Sequence, residues 1–351
     1  IIPSIDEGNR WNFFSKSKLE NEILKQTDEE GWGYEGSTAY HKLITEMFLF
    51  SYVIADYVGQ PFSKRFKIRL IKMIDVLNTI KKPDNKIPQI GDNDSGSSFV
   101  FNFQKDNLDL TTLFIIAEKY NLLKRKTSTE IINYQDIGYY FCKNKQLYLL
   151  MTSGPKKLLG LGSHAHNDIL HYILNINGFD ILIDPGSFVY SSNPQRRNDF
   201  RSINYHNSLS WEGLEPRDLN KGLFIMKDRG SRITSEIKKE ASSLNFFGKY
   251  IYKGFYHKRS MKISLDKNFL KVVDTASAPG AHLSFNFAPN IIPRIRSNII
   301  KTDYANFHFS GISNFELQKT NFSKGYGKIQ DNYVIKAKLS GLTSEHTITW
   351  K

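Results

Sequence analysis

Residues 162–190 read G-S-H-A-H-N-D-I-L-H-Y-I-L-N-I-N-G-F-D-I-L-I-D-P-G-S-F-V-Y, and residues 196–213 read R-R-N-D-F-R-S-I-N-Y-H-N-S-L-S-W-E-G. Two apolar runs, His171–Asn175 and Phe179–Ile183, flank Asn177-Gly178, a pair that favours a tight β-hairpin turn. The second run stops at Asp184-Pro185-Gly186, because proline cannot donate to a sheet ladder and glycine supplies turn geometry. The Asp184 carboxylate is thereby left at the tip of a buried strand, where an unpaired charge is costly. His166, Asp184 and His206 are two imidazoles and a carboxylate, a donor set that suits zinc and, less well, manganese or iron. Their spacing is too long for a helical His-Glu-x-x-His site, so the donors must come from different strands or turns, and a metal held this way would clamp a sheet. A satisfied core histidine and an aspartate capping the Pro-Gly turn would explain the same residues without a metal. The residues alone leave both readings open.

On either side of this stretch the pattern differs. Downstream of about Asp136, runs rich in Tyr, Ile, Val and Phe alternate with turn residues: Leu147–Thr152, Phe246–Tyr252, Met261–Leu265, Phe269–Asp274, Leu283–Phe287 and Tyr333–Leu339, besides the two above. These predict a large antiparallel β-sandwich over 136–351. Upstream, Tyr40, Leu43, Ile44, Met47, Phe50, Val53, Ile54 and Tyr57 recur at helical spacing behind the candidate caps Ser37 and Thr38. Lys64–Ile80 and Leu108–Tyr120 follow the same periodicity, with K-I-P-Q-I-G-D-N-D-S-G at 86–96 as a loop between them. Residues 1–130 therefore predict a helical domain, with the boundary in the K-R-K-T-S-T-E region of 123–136.

Length and composition fit two domains with real cores: 351 residues, 40% hydrophobic. No apolar stretch approaches a membrane span, so a soluble chain is expected. Lys and Arg number 48 against 35 Asp and Glu, a net charge of +13 that raises the encounter rate with any polyanion. No helix-turn-helix, zinc-finger or RNA-recognition pattern accompanies it, which favours an acidic glycan over nucleic acid. The single cysteine, Cys142, excludes an internal disulfide and leaves the redox compartment open. The chain opens Ile-Ile-Pro without Met or a leader, from which a preceding segment is expected.

The motifs H-A-H-N-D (164–168), I-D-P-G (183–186), F-R-S (200–202) and H-N-S-L (206–209) resemble the central signature of the heparinase II/III-like polysaccharide lyases, relatives of several alginate lyases. H-K-R at 257–259, L-K-V-V-D at 270–274 and H-L-S-F-N-F-A-P at 282–289 resemble the family's later sandwich strands. Y-E-G-S-T-A-Y-H at 34–41 resembles its helical active-site segment. The resemblance implies an α+β multidomain protein, an incomplete (α/α) toroid followed by an antiparallel β-sandwich, with a cleft between them. The helical part is short for such a toroid, a sign of further helices upstream. It also implies β-elimination on a uronate-containing acidic polysaccharide, one structural zinc, and a periplasmic or secreted location.

Elimination removes the proton at C5 and expels the glycosidic oxygen at C4, which calls for a base, an acid and a partner for the substrate carboxylate. By resemblance Tyr40 donates the proton to the leaving oxygen and can serve as base on the same face, although it also falls in register with the apolar stripe of its helix. His164 is the sandwich-side base or carboxylate partner, and His166, Asp184 and His206 hold the zinc, whose role is positional. Tyr190 is a candidate second phenol of the cleft, or ordinary loop packing. Arg201 is placed to bind a substrate carboxylate bidentately, or to pair with Asp199. Glu35 would orient Tyr40 or His41, or simply favour a helix N-terminus, with His41 supporting substrate binding. His171, His257 and His282 read as structural. The family's Asn-His pair, whose Asn helps neutralise the carboxylate, would fall before residue 1. Two rival readings stand beside the lyase: an inverting glycosidase using Asp92, Asp94 and Glu35, and a non-catalytic glycan-binding or polysaccharide-assembly protein that keeps the fold.

Overall fold

The computed structural model describes residues 6–98, 106–123, 130–154, 162–228, 230–264 and 266–351. The first residues of the chain, part of the expected domain boundary (124–129 of 123–136) and Leu265 of one expected strand lie outside the described residues. Helices α1 (Asp6–Lys25), α2 (Thr38–Tyr57), α3 (Lys64–Ile80) and α4 (Thr111–Lys119) precede the strands, and α5 (Pro194–Arg201) follows the Asp-Pro-Gly turn. Ser37 caps α2, its hydroxyl accepting from the Tyr40 amide. Helix α1, rich in Lys, Glu and Asn, shows too weak an apolar stripe to be read from periodicity. Among the described residues, four helices upstream of the sheets form a helical layer. The described residues establish a mixed helix and antiparallel-sheet protein, coarser than the toroid expected.

A five-stranded sheet, Glu130–Tyr134, Tyr139–Lys143, Leu147–Thr152, Tyr172–Ile176 and Phe179–Leu182 in that order, lies between two cores. Tyr139, Phe141, Tyr148, Leu150 and Ile173 pack with Phe66, Leu70, Ile74 and Leu77 of α3. Their neighbours Tyr140, Cys142, Leu149, Met151, Tyr172 and Leu174 pack with Phe246, Ile263, Val272 and Phe285 of the other sheets. Alternate side chains point to opposite faces, so burial on both faces yields continuous apolar runs in place of an alternating pattern. The hairpin forms at Asn177-Gly178, both with positive φ (52° and 86°), as its primed turn requires.

The remaining strands form an eight-stranded sheet centred on Ser243–Tyr252, Phe255–Ser264, Phe269–Ala276 and Thr343–Trp350, and a four-stranded sheet built on Ile312–Gly325, Lys328–Leu339 and His282–Asn286. Every pairing between them is antiparallel. Ile312–Gly325 was not expected from the sequence because it is largely polar and half exposed. Its hairpin crosses to the helical side. Gln89 donates to the Ser323 carbonyl at 2.8 Å, and the Tyr326 amide donates to the Ser95 hydroxyl at 2.9 Å. Gly186 (φ 86°) permits this approach, since a Cβ there would lie 2.3 Å from the Ser323 carbonyl.

Candidate active site

The loop 88–96 is the seam of the site. The Asp92 amide donates to the His164 carbonyl (2.9 Å), the Ser37 hydroxyl donates to the Asp92 carbonyl (2.6 Å), and the Asn93 amide donates to the Ser187 hydroxyl (2.9 Å). One turn thus ties the start of α2 to the histidine loop and to the Asp-Pro-Gly turn. Gly91, at φ 72°, allows it: a Cβ there would lie 2.6 Å from the His164 carbonyl and 2.7 Å from that of Gly36.

Asp92 is fully buried, and four side-chain nitrogens converge on it. Arg197 of α5 donates to both oxygens at 2.7 Å, His164 Nδ1 lies 3.0 Å from Oδ2, and His166 Nε2 lies 3.0 Å from Oδ1. Burial alone would raise its pKa, but the bonds from His164, His166 and Arg197 outweigh burial and hold the carboxyl well below the usual range. An ionised carboxylate only accepts, so His164 carries its proton on Nδ1 and His166 carries one on Nε2. The Nε2 atom of a neutral His164 is then left with a lone pair.

Tyr40 lies flat on His164, ring centroids 3.6 Å apart and planes 15° from parallel. Its hydroxyl donates to Asp94 Oδ2 at 3.0 Å and lies 3.3 Å from the Tyr190 hydroxyl. Burial pushes both phenols above their ordinary pKa, and the nearby carboxylates Asp92 and Asp94 push in the same direction. Both remain protonated at neutral pH. Arg197 passes beneath the Tyr190 and Phe224 rings, at 4.5 and 4.8 Å from their centroids.

The second cluster lies behind this wall. His206 Nδ1 is 3.1 Å and His171 Nε2 3.5 Å from Asp184 Oδ2, and donor atoms of the three residues lie within 4.8 Å of one another. His166 stands beside them, its ring centroid 5.6 Å from that of His206. Burial opposes the charge on Asp184, yet the surrounding imidazoles, His206 foremost, keep its pKa low. His166 Nδ1, His171 Nε2 and His206 Nε2 are all buried without a hydrogen-bond partner. Such a cluster of orphaned imidazole nitrogens around a carboxylate has the donor chemistry of a cation site. His171 differs from the others: its Nδ1 accepts from the Asn207 amide at 2.8 Å, so the neutral ring carries its proton on Nε2 and has no lone pair for a metal.

Three expectations are corrected. His41 lies in the helical core: its Nδ1 accepts from the Gly33 amide, its Nε2 bonds the Met73 carbonyl, and burial lowers its pKa to about 4. Arg201 is buried, its guanidinium holding the Leu219, Gly222 and Leu223 carbonyls and Asn198, and Asp199 pairs with Arg196 instead. Glu35 precedes the Ser37 cap, outside the first turn of α2, and bonds neither Tyr40 nor His41. The cation that meets Asp92 and the Tyr190 ring is Arg197, four residues before Arg201 and on the same helical face. Periodicity alone could not tell the two apart. The carboxylates weighed for hydrolysis are also engaged: both Asp92 oxygens are taken, and Asp94 holds Tyr40 and the Gly96 amide. Size does not mark the site, because a cavity of about 810 Å³ on the outer side of the four-stranded sheet contains none of Tyr40, His164 or Tyr190.

The site places a phenol stacked on a carboxylate-held histidine between a helical layer and β-sheets, and comparison with known proteins gives the family to which such a chain belongs. The family model described as "Heparinase II/III-like, C-terminal" matches residues 126–350, and "Heparinase II/III N-terminus" matches residues 1–112. The chain belongs to the heparinase II/III family. It is 24% identical to a heparin-sulfate lyase of Pedobacter heparinus over 96% of this chain and 51% of that protein. A heparinase III structure superposes with a TM-score of 0.78 at 17% identity (99% of this chain, 57% of that one). Heparan sulfate lyase from Pedobacter heparinus gives 0.73 at 20% (99% and 57%), and a Streptomyces coelicolor chondroitin AC lyase gives 0.52 at 7% (91% and 53%). The chain spans about half the length of these relatives.

Proposed function

We propose that this protein is a polysaccharide lyase that breaks a uronate-containing acidic polysaccharide by β-elimination. The observation that carries the reading is the stacking of Tyr40 on His164, with the Tyr40 hydroxyl oriented by Asp94 and Tyr190. In the reaction His164 Nε2 takes the C5 proton, the C4–O4 bond breaks as the C4=C5 double bond forms, and the departing oxygen receives the Tyr40 proton. A phenol kept protonated suits the acid, and an imidazole whose Nδ1–H is fixed by Asp92 suits the base. Tyr190 lies within reach to share or relay the phenolic proton.

His166, Asp184 and His206 would hold one zinc, which when bound supplies a fixed positive charge joining the histidine loop to the strand end. Their support is the lone pair that His166 Nδ1 offers and His171 lacks. The helical layer reads as an arc of a larger (α/α) toroid, since α1 exposes Trp11, Phe13 and Phe14 and α2 exposes Met47, Phe50 and Tyr57. Heparan-type glycans are the first substrates to try, given what the relatives are named for. Incubation with heparan sulfate, chondroitin sulfate and alginate tests the proposal: an ultraviolet-absorbing unsaturated sugar end should form on at least one polymer. Saturated products would sink it.

A further inference from the structure

We infer that Phe224 and Tyr326 are sugar-stacking residues that extend the cleft on the sandwich side, holding pyranose rings of the acidic glycan next to the reacting residue. The inference rests on the lyase reading for its substrate class but concerns binding. Both rings stand edge-on to Tyr190 with centroids 5.2 Å away, at 83° for Phe224 and 73° for Tyr326. Phe224 also meets His164 at 5.8 Å, whereas Tyr326 has no ring contact with it, so the two prolong the site unequally beyond the Tyr40–His164 pair. Each is 38% exposed although it sits on a braced turn.

The bracing is specific. The Leu223 carbonyl accepts from Arg197 Nε (2.7 Å) and Arg201 Nη1 (3.1 Å), and the Gly222 carbonyl accepts from Arg201 Nη2 (3.3 Å). The Tyr326 amide donates to Ser95, and the Gly327 amide donates to the Phe188 carbonyl at 2.8 Å. Two part-exposed aromatic rings are therefore held on turns whose backbone is fixed beside Tyr190, with little backbone motion left to lose on binding, as suits the C–H face of a pyranose. Exposed lysines stand beside each ring in the sequence, Lys221 before Phe224 and Lys324 and Lys328 around Tyr326, with Lys324 also 3.8 Å from Asp106. Flat apolar faces flanked by cations match a ring polymer bearing carboxylates or sulfates.

The test measures binding apart from turnover. Retardation of the Tyr40→Phe protein in gels containing heparan sulfate, chondroitin sulfate or alginate gives an affinity; Phe224→Ala and Tyr326→Ala are added to that background. Phe247→Ala, a similarly exposed ring on the eight-stranded sheet, is the control. Expected are affinities about tenfold weaker for each site variant, equivalent to about 1.4 kcal/mol, an unchanged control, and restoration by Phe224→Trp. In the active protein the same variants should raise KM and leave kcat within about twofold. Unchanged affinity in both site variants, or no binding of the parent to any of the three polymers, would overturn the inference. Ring-dependent binding without any unsaturated product from the wild-type protein would sink the elimination reading and leave this one standing.

Discussion

The Tyr40 ring lies against the His164 imidazole at 3.6 Å, the phenol carried by the first turn of a helix and the imidazole by a loop of the sandwich side. Neither layer holds the pair alone, because Asp92 and Ser37 fix the two sides to one turn. Replacing Tyr40 by Phe removes only the hydroxyl and keeps the stack. We expect kcat to fall by about 10² to 10⁴, the usual worth of one positioned proton-transfer group, with an unchanged melting temperature. Steady-state kinetics beside a thermal melt check this; a variant that keeps more than half its kcat would contradict the acid role.

Asp92 is the charge that keeps Arg197 compensated in a dry site. Asp92→Asn leaves the guanidinium buried without its carboxylate, a change that costs about 3–5 kcal/mol in comparable pairs. Denaturant unfolding should show a loss of that size together with a fall in kcat. Wild-type stability would mean the contact is not the anchor described.

His41→Leu separates core from cleft. The variant leaves the buried Gly33 amide unpaired, at about 1–3 kcal/mol, and removes the side-chain bond to the Met73 carbonyl, which keeps its place in helix α3, while KM should not move. A raised KM at unchanged stability would return His41 to the substrate.

Acid should weaken the fold through imidazoles buried in neutral form. Burial lowers His41 and His282 to about 4 and His346 to about 3, against about 6.5 when unfolded. Their folded pKa values are depressed, so their contribution is complete above pH ~6.5 and is lost as pH falls toward those values. Burial would lower His206 too, but Asp184 raises it, so this one residue acts in the opposite direction. Melting temperatures measured from pH 8 to pH 4 should decline below about 6.5; a flat profile would contradict the burial of these rings.

The zinc assignment is checked by elemental analysis. About one zinc per chain is expected, lost in His166→Ala and accompanied by a lower melting temperature. Full zinc in that variant would move the third ligand away from His166.

Much of this was legible in the residues. Asn177-Gly178 and Asp184-Pro185-Gly186 punctuate the chain by local conformational rules, and α2 and α3 follow their apolar spacing. The polar strand Ile312–Gly325 and helix α1 were not legible, because their burial depends on partners that local periodicity does not encode. At the site, the resemblance of the Y-H at 40–41 and the H-A-H at 164–166 to family motifs, and not the residue types alone, pointed to a phenol facing an imidazole. Asp92 appeared only as one acid in a Gly-Asp-Asn-Asp loop, and its meeting with Arg197 across 105 residues is a tertiary fact. Arg201 was chosen for its F-R-S context; Arg197 lies one turn earlier on the same face of α5, a helix not expected from the sequence, and packing decides which of the two reaches Asp92.

The central claim is that the Tyr40–His164 pair breaks the glycosidic bond without water. Mass spectrometry of the smallest products from the most susceptible polymer measures this directly. Fragments lighter by one water than their hydrolytic counterparts, absent with Tyr40→Phe, are the predicted result; full-mass saturated fragments would contradict it.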